Sequence, residues 1–341
     1  MMSIYAMLHF LHGSNLGDKY YRTSYNAMMK GTAWKPFVYR VFIPRMTVFI
    51  DDLTPKYVRQ NIGDGFKEWL NNNKTIHKYL PGLKTVYKDS VYKRLVTTVL
   101  IYICLWGYII AMYLLAKHLF AQQQAMWYFA PIFGMFAITS FSWQWIYIYD
   151  IPLLFFSTAC YLCIARRNLS LYIALFAFAC LNKETAVFLT LFFMFWFYKR
   201  IPARQYIMLL LLQCAIFIVI RGAIYDAFSS NPGPFLENNT FRILTRDILG
   251  KSKYFQLIGI SVIMFMLTFN WKNKPDFLKV GLWLIPPYYL AYVLYGYPGE
   301  YRVFFDIMPL LLMLVTHTLV VGTGIYQSPV FIQNMKKDNA E

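Results

Sequence analysis
Apolar residues run along this chain in long blocks, separated by short basic, aromatic or proline-containing breaks. A helix rises 1.5 Å per residue, so about 20 apolar residues are needed to cross a hydrocarbon core of about 30 Å. Blocks of that kind predict membrane helices at 95–117, 125–142, 145–165, 205–222, 254–271, 277–296 and 303–322. Block 170–198 differs. It carries Asn182-Lys183-Glu184-Thr185 at its centre and has basic groups beyond both ends, Arg166-Arg167 and then Lys199-Arg200 with Arg204. A single span would force one basic end to the outer side, against the positive-inside bias. Two short helices, 170–181 and 185–198, meeting at the polar break keep both basic ends inside. In lipid such a break is tolerated only where the freed backbone lines a cavity or is buried in protein. The pattern therefore predicts an all-α, polytopic bundle of about 9–10 membrane helices, including one short broken hairpin.

Before that bundle the pattern weakens. Residues 36–50 are apolar but interrupted by Arg40, Arg45, Pro36 and Pro44, which suits a helix lying in the interface or re-entering it. The polar stretch 51–94 predicts an amphipathic helix near 56–72. Residues 2–12 are apolar but would rise only about 16 Å, so this helix is expected to be half-inserted or to begin upstream of Met1. No basic leader or small-residue cleavage site argues for a cleaved signal peptide. The expected parts are a short N-terminal helix in 1–13, an external or interfacial segment in 14–94, the membrane domain 95–322 and a cytoplasmic tail in 323–341.

Composition agrees with the periodicity. The 341 residues are 58% hydrophobic and 20% aromatic, with only 14% charged, a profile of multi-span membrane proteins rather than any soluble class. The net charge of +17 fits basic loops facing anionic lipid. No recognised nucleic-acid-binding motif accompanies it. Lys117-His118, Arg166-Arg167, Lys199-Arg200, Lys272 with Lys274, and Lys336-Lys337 then lie inside. The segments 142–150, 182–185, 223–253 and 296–302 lie outside. The basic segment 14–94 is too long for the charge rule to bind.

Cys160 and Cys163 have redox or zinc spacing, but no second pair or nearby histidine completes it, so buried packing is expected. The histidines form no ligand set, and no metal or cofactor is predicted. Gly250-Lys251-Ser252 resembles the end of a phosphate loop, yet it lacks the first glycine and a preceding strand. The aromatic groups at 127–129, 143–145 and 288–289 suit an interfacial belt, or alternatively sugar-stacking platforms.

Under this threading, four charged clusters reach the same outer face: Tyr39-Arg40, Tyr149-Asp150, Lys183-Glu184 and Glu300-Tyr301-Arg302. An ionisable group at membrane depth costs roughly 2.5–3.5 kcal/mol or more, so it usually faces a wet cavity. A shared cavity is the prediction. Asp150 also suits a helix cap at the positive end of the dipole. Lys183 and Glu184 are adjacent, and neighbouring helical side chains point apart, so each should find a separate partner. Arg302 opens a helix at the dipole's unfavourable end, which suggests that it serves a carboxylate or a phosphate; otherwise it is an interfacial anchor. Arg40 and Arg45 suit headgroup anchors equally well, and Asp51-Asp52 suits a helix cap before Thr54-Pro55.

Pro36-Phe-Val-Tyr-Arg-Val-Phe-Ile-Pro44, Tyr149-Asp-Ile-Pro152, Asn182-Lys-Glu-Thr185 and Gly299-Glu-Tyr-Arg302 with Pro309 resemble, in order and spacing, bacterial multi-pass proteins related to the GT-C glycosyltransferases. The resemblance runs from about 14 to 315. It implies a GT-C-like fold in the bacterial inner membrane and transfer of a sugar from a polyprenyl-phosphate carrier to a glycan, lipid or protein acceptor on the outer side. In that family the catalytic acid usually follows the first helix, and here Asp18 stands at that place. Lys183 stands where such proteins often carry arginine, keeping the charge without the fork. Asp18 or Asp150 would act as base, with Glu184 either a base or a group orienting a cation. Tyr39, Arg40, Lys183, Glu300 and Arg302 would bind substrate, the cations stabilising the departing phosphate without a metal. The expected partners are membrane lipid, the polyprenyl-phosphate-linked sugar and other membrane subunits. The competing expectations are a non-catalytic accessory subunit of a membrane complex and a lipid-linked glycan polymerase or transporter.

Overall fold
The computed structural model describes residues 21–73, 90–141, 146–235, 238–245, 253–297 and 300–324, which are helical with no strand among them. The first helix, Asp18, the 143–145 aromatics, Gly250-Lys251-Ser252 and most of the tail lie outside the described residues. Three helical stretches are long and apolar enough to cross a membrane: Val91–Leu119, Ala203–Ala227 and Asp276–Tyr295. Shorter apolar helices accompany them, and together they mark the chain as a helical membrane protein.

The described chain opens with α1 (Tyr25–Lys30), α2 (Phe42–Leu53) and α3 (Lys56–Asn72). Next come α4 (Val91–Leu119), α5 (Gln124–Phe141) and α6 (Asp150–Ala165). The hairpin is α7 (Leu169–Asn182) and α8 (Val187–Phe197), joined through an extended Lys183 and a 3-10 turn, Glu184–Ala186. Last come α9 (Ala203–Ala227), α10 (Lys253–Thr268), α11 (Asp276–Gly281), α12 (Ile285–Tyr295) and α13 (Met308–Gly322).

α6 is the axis of the bundle. Thirteen of its sixteen residues are buried, because α4, α7, α8 and α13 pack around it. At about 24 Å by helical rise it is short, and its first end, at Tyr149 and Asp150, is buried in protein. α4 approaches it closely at Gly107, where a Cβ would fall 2.6 Å from the Phe155 ring. A small residue at a membrane-helix contact permits such an approach. α9 and α10 instead present Ile207, Leu211, Ile218, Ile258 and Phe265 outward. Such faces suit lipid, which needs no polar cover.

Three expectations change. The 36–50 block is not one helix: a 3-10 turn, Phe37–Tyr39, precedes α2, and Arg40 lies between them. Pro44 falls in the first turn of α2, where its missing N–H costs nothing. The 277–296 block is broken by a 3-10 turn, Leu282–Leu284, before Pro286-Pro287, which open α12 and cannot donate hydrogen bonds backward. Asp51 is not a helix-starting cap. It closes α2 and pairs with Arg59 at 3.0 Å and Lys93 at 3.2 Å, tying α2 to α3 and α4. The amphipathic helix predicted near 56–72 is α3, with Gly63 and Leu70 buried and Tyr57, Ile62 and Trp69 exposed.

Candidate functional site
Backbone bonds first bring the clusters into range. The Val41 amide donates to the Leu181 carbonyl at 3.1 Å, joining the Arg40 segment to the end of α7. The Asn182 side chain donates to the Tyr149 carbonyl at 3.0 Å, joining the hairpin break to the start of α6. The first satisfies a carbonyl that the end of α7 leaves open, and the second adds to a Tyr149 carbonyl that also accepts the Leu153 amide.

Two ion-pair groups form on this frame. Arg40 reaches Glu184 at 2.9 Å and donates to the Tyr149 hydroxyl, while Arg221 reaches the other Glu184 oxygen at 3.5 Å. Arg302 reaches Asp150 at 2.7 Å and also pairs with Glu300. Asp150 accepts the Tyr147 amide at 2.8 Å with the same oxygen that meets Arg302, so it serves both the turn before α6 and the ion pair. The groups are linked by rings. Arg302 lies 4.0 Å over Tyr147, Tyr147 stacks on Tyr149 at 5.3 Å and 7°, and Arg40 lies 4.2 Å over Tyr149. Burial alone would disfavour the charge on Arg40, but Glu184 and Tyr149 outweigh it and hold the guanidinium's pKa above its ordinary value. For Arg302, likewise, burial opposes the charge and Asp150 and Glu300 more than offset it.

Above these groups lies a cavity of about 290 Å³. Arg40, Lys183, Glu184, Thr185, Glu300 and Arg302 form its polar floor, and Phe37, Phe188, Tyr288, Tyr292, Tyr295 and Tyr297 its aromatic wall. Several buried atoms there make no hydrogen bond among the described residues: Arg40 Nε, Arg302 Nε, Thr185 Oγ1 and the Tyr288 hydroxyl. Buried polar atoms are normally satisfied, so such a cluster points to a polar occupant, water included. A more open groove of about 440 Å³ beside α3 is lined by Lys56, Arg59, Lys67 and Lys93 with Asp51 and Asp64. It gathers none of the four clusters, and its Asp51 is committed to α2–α4 packing.

The structure thus brings Arg40, Asp150, Lys183, Glu184, Glu300 and Arg302 together. Asp150 is fully buried behind Arg302 rather than on the cavity wall. Tyr39 also stands back: its carbonyl accepts Arg221 at 3.0 Å and its ring packs on Tyr225 and Phe235. Adjacent Lys183 and Glu184 do diverge, because Lys183 is extended (φ −157°, ψ 149°) where α7 ends. Arg302 serves carboxylates of this chain. Sequence reasoning passed over Arg221 and Asp306, both buried to 1% exposure. Each is a lone ionisable residue in an apolar run, the signal that flags a functional or pairing role in a membrane helix.

Among the described residues no group of three or more histidine, cysteine, aspartate or glutamate side chains is placed to hold a metal. No known protein family, curated protein or solved structure matches the chain.

Proposed function
We propose that the chain is a GT-C-like membrane glycosyltransferase that takes a sugar from a polyprenyl-phosphate carrier and passes it to a glycan, lipid or protein acceptor on the outer face of a bacterial inner membrane. The observation that carries this reading is the cavity at the broken hairpin. It joins a charged floor to a tyrosine wall, as a phosphate, a sugar ring and an apolar tail would require. In that reaction a carboxylate takes the acceptor's proton, and the cations of the floor stabilise the phosphate as the sugar leaves. Asp150 and Glu184 are poor bases in this setting, since arginines occupy them. Asp18, at the family position, takes that role in the proposal.

The same geometry favours a second reading, a non-catalytic accessory subunit. Arg40 and Arg221 pair with Glu184, and Arg302 pairs with Asp150 and Glu300, three cations against three anions, and a cluster that satisfies its own charges can serve packing alone.

Ligand-dependent stability separates the readings. A native-state ligand at a hundredfold excess over its Kd stabilises by about 2.7 kcal/mol. Polyprenyl-linked sugars added to purified protein should therefore raise its Tm, and Asp18→Asn should abolish transfer with carrier binding intact. If no such donor raises Tm, and Asp18→Asn, Arg302→Lys and Glu184→Gln all leave the pathway running, the accessory reading stands. The proposed topology has its own check. Cysteines placed at Ser230 and Asn238 should label from outside intact cells, and those at Asn168 and Asn273 should not.

A further inference from the structure
Three cations line the cavity, and two of them are already answered. Arg40 shares Glu184 with Arg221, and Arg302 holds Asp150 and Glu300. Three arginines thus meet three carboxylates, and each cavity arginine has only its Nε without a hydrogen bond among the described residues. Lys183 is the exception. It lines the cavity at 5% exposure, and its ammonium makes neither a hydrogen bond nor an ion pair among the described residues.

The backbone explains why. Lys183 is extended where α7 ends, and the 3-10 turn Glu184–Ala186 follows at once. Glu184 is taken by the arginines, while Lys183 and Thr185 on either side of it stay unpaired in the cavity lining. Across from them Tyr288 of α12 also lines the cavity with an unpartnered hydroxyl, its ring held against Phe188 with centroids 3.8 Å apart. Asp306 is buried off the cavity lining, accepts from Ser157 at 3.4 Å and makes no ion pair among the described residues. A buried ammonium without a counter-ion is unfavourable, so a ligand that brings one negative charge here relieves it. A second negative charge finds no such partner. The remaining cations are matched, and Glu184 and Glu300 themselves line the cavity and would repel it.

We infer that Lys183, with Thr185 and Tyr288, forms a subsite for a single negative charge, that of a lipid phosphodiester, and that Glu184 and Glu300 turn a diphosphate away. The lipid-phosphate class rests on the reading under Proposed function; the selection of one charge over two, set by one lysine against two glutamates, is the new element.

The test is direct binding to the purified full chain in detergent. The probes are decaprenyl methyl phosphate (a diester with one charge), decaprenyl diphosphate, decaprenol and soluble dimethyl phosphate. A hydrogen-bonded charge pair should make the wild type bind the diester about tenfold or more tighter than decaprenol, and tighter than the diphosphate. Lys183→Met should bring the diester down to the level of decaprenol at unchanged Tm. Glu300→Gln should improve the diphosphate about threefold or more relative to the diester by removing one repelling charge. Damage to the fold would not produce that gain, so this arm decides the matter should Lys183→Met not fold. Diphosphate binding as tightly as the diester overturns the inference, as does wild-type diester binding by Lys183→Met. An unchanged ratio of diphosphate to diester in Glu300→Gln overturns it as well. Decaprenol binding as tightly as the diester removes the charge subsite, and dimethyl phosphate binding as tightly overturns the lipid source. Sugar transfer is not read in this assay, so the expected binding pattern without any detectable transfer would remove the enzymatic reading and leave this inference standing.

Discussion
At the start of α13 a buried cation meets carboxylates, Arg302 with Asp150 and Glu300. About 18 Å along the same helix axis, Lys274 is just as buried, at 2% exposure, but among the described residues meets only neutral oxygens. It donates to the Leu314 carbonyl at 2.7 Å, the Thr318 hydroxyl at 2.8 Å and the Met266 carbonyl at 3.3 Å. His317 beside it stacks on Phe120 at 5.5 Å, with neither ring nitrogen hydrogen-bonded among the described residues. One end thus holds charge against charge beside a cavity, and the other holds a lone cation against helix carbonyls. Burial by itself does not mark a site. Matched opposite charges with unsatisfied hydroxyls and open volume make the first end the candidate.

The largest expected effect tests whether the first end depends on its pairs. Arg302→Met leaves Asp150 fully buried without its counter-charge, and breaking a buried pair from one side typically costs about 3–5 kcal/mol. Unfolding of the variant in detergent should show a loss of that order, and adding Asp150→Asn should recover at least half. A loss below about 1 kcal/mol would mean that the pair behaves like an exposed one. A smaller loss is expected for Glu184→Gln, since Glu184 is 27% exposed at its side chain and the amide still accepts. Replacing the charge-assisted bonds to Arg40 and Arg221 by neutral ones should cost about 1–3 kcal/mol in the same assay. Equal losses from Glu184→Gln and Arg302→Met would erase the ranking by burial.

Much of this frame is legible in the chain. The apolar blocks locate α4, α5, α7, α8 and α9 to within a few residues, because a membrane helix has to satisfy its backbone internally over that length. The break at Asn182-Lys183 is legible because a polar run at the centre of an apolar block, flanked by basic ends, has one inexpensive threading. Pairing is another matter. Asp150 and Arg302 are 152 positions apart, and no local period links them, so the arginine's partner could be narrowed only to a carboxylate or a phosphate. Arg221 and Asp306 were absorbed into their apolar blocks. Counting each ionisable residue inside a block would have found both. The split before α12 was signalled by Pro286-Pro287, which a window on hydrophobicity alone does not weigh.

The smallest effect should come from the other end of α13, through Lys274→Met. Burial lowers the Lys274 pKa from 10.5 to about 8, with His317 as the titratable neighbour that shares its field. The sign follows from proton counting. Below about pH 8 the lysine is charged in both folded and unfolded states, and the burial penalty is fully present. Between about 8 and 10.5 the folded state gives up the proton while the unfolded state keeps it, so stability rises with pH. Near neutral pH the substitution removes that penalty and also removes three hydrogen bonds. The Thr318 hydroxyl lies within reach of both the Leu314 and Met266 carbonyls and can still donate to one of them. The opposing terms should leave Lys274→Met within about 1 kcal/mol of wild type at pH 7. The difference in unfolding free energy between wild type and variant should then move in favour of wild type as pH rises from 7 to 10. A difference that stays flat over that range would show that Lys274 is not penalised by burial. A loss at pH 7 as large as that of Arg302→Met would show instead that carbonyls hold a buried cation as firmly as carboxylates do.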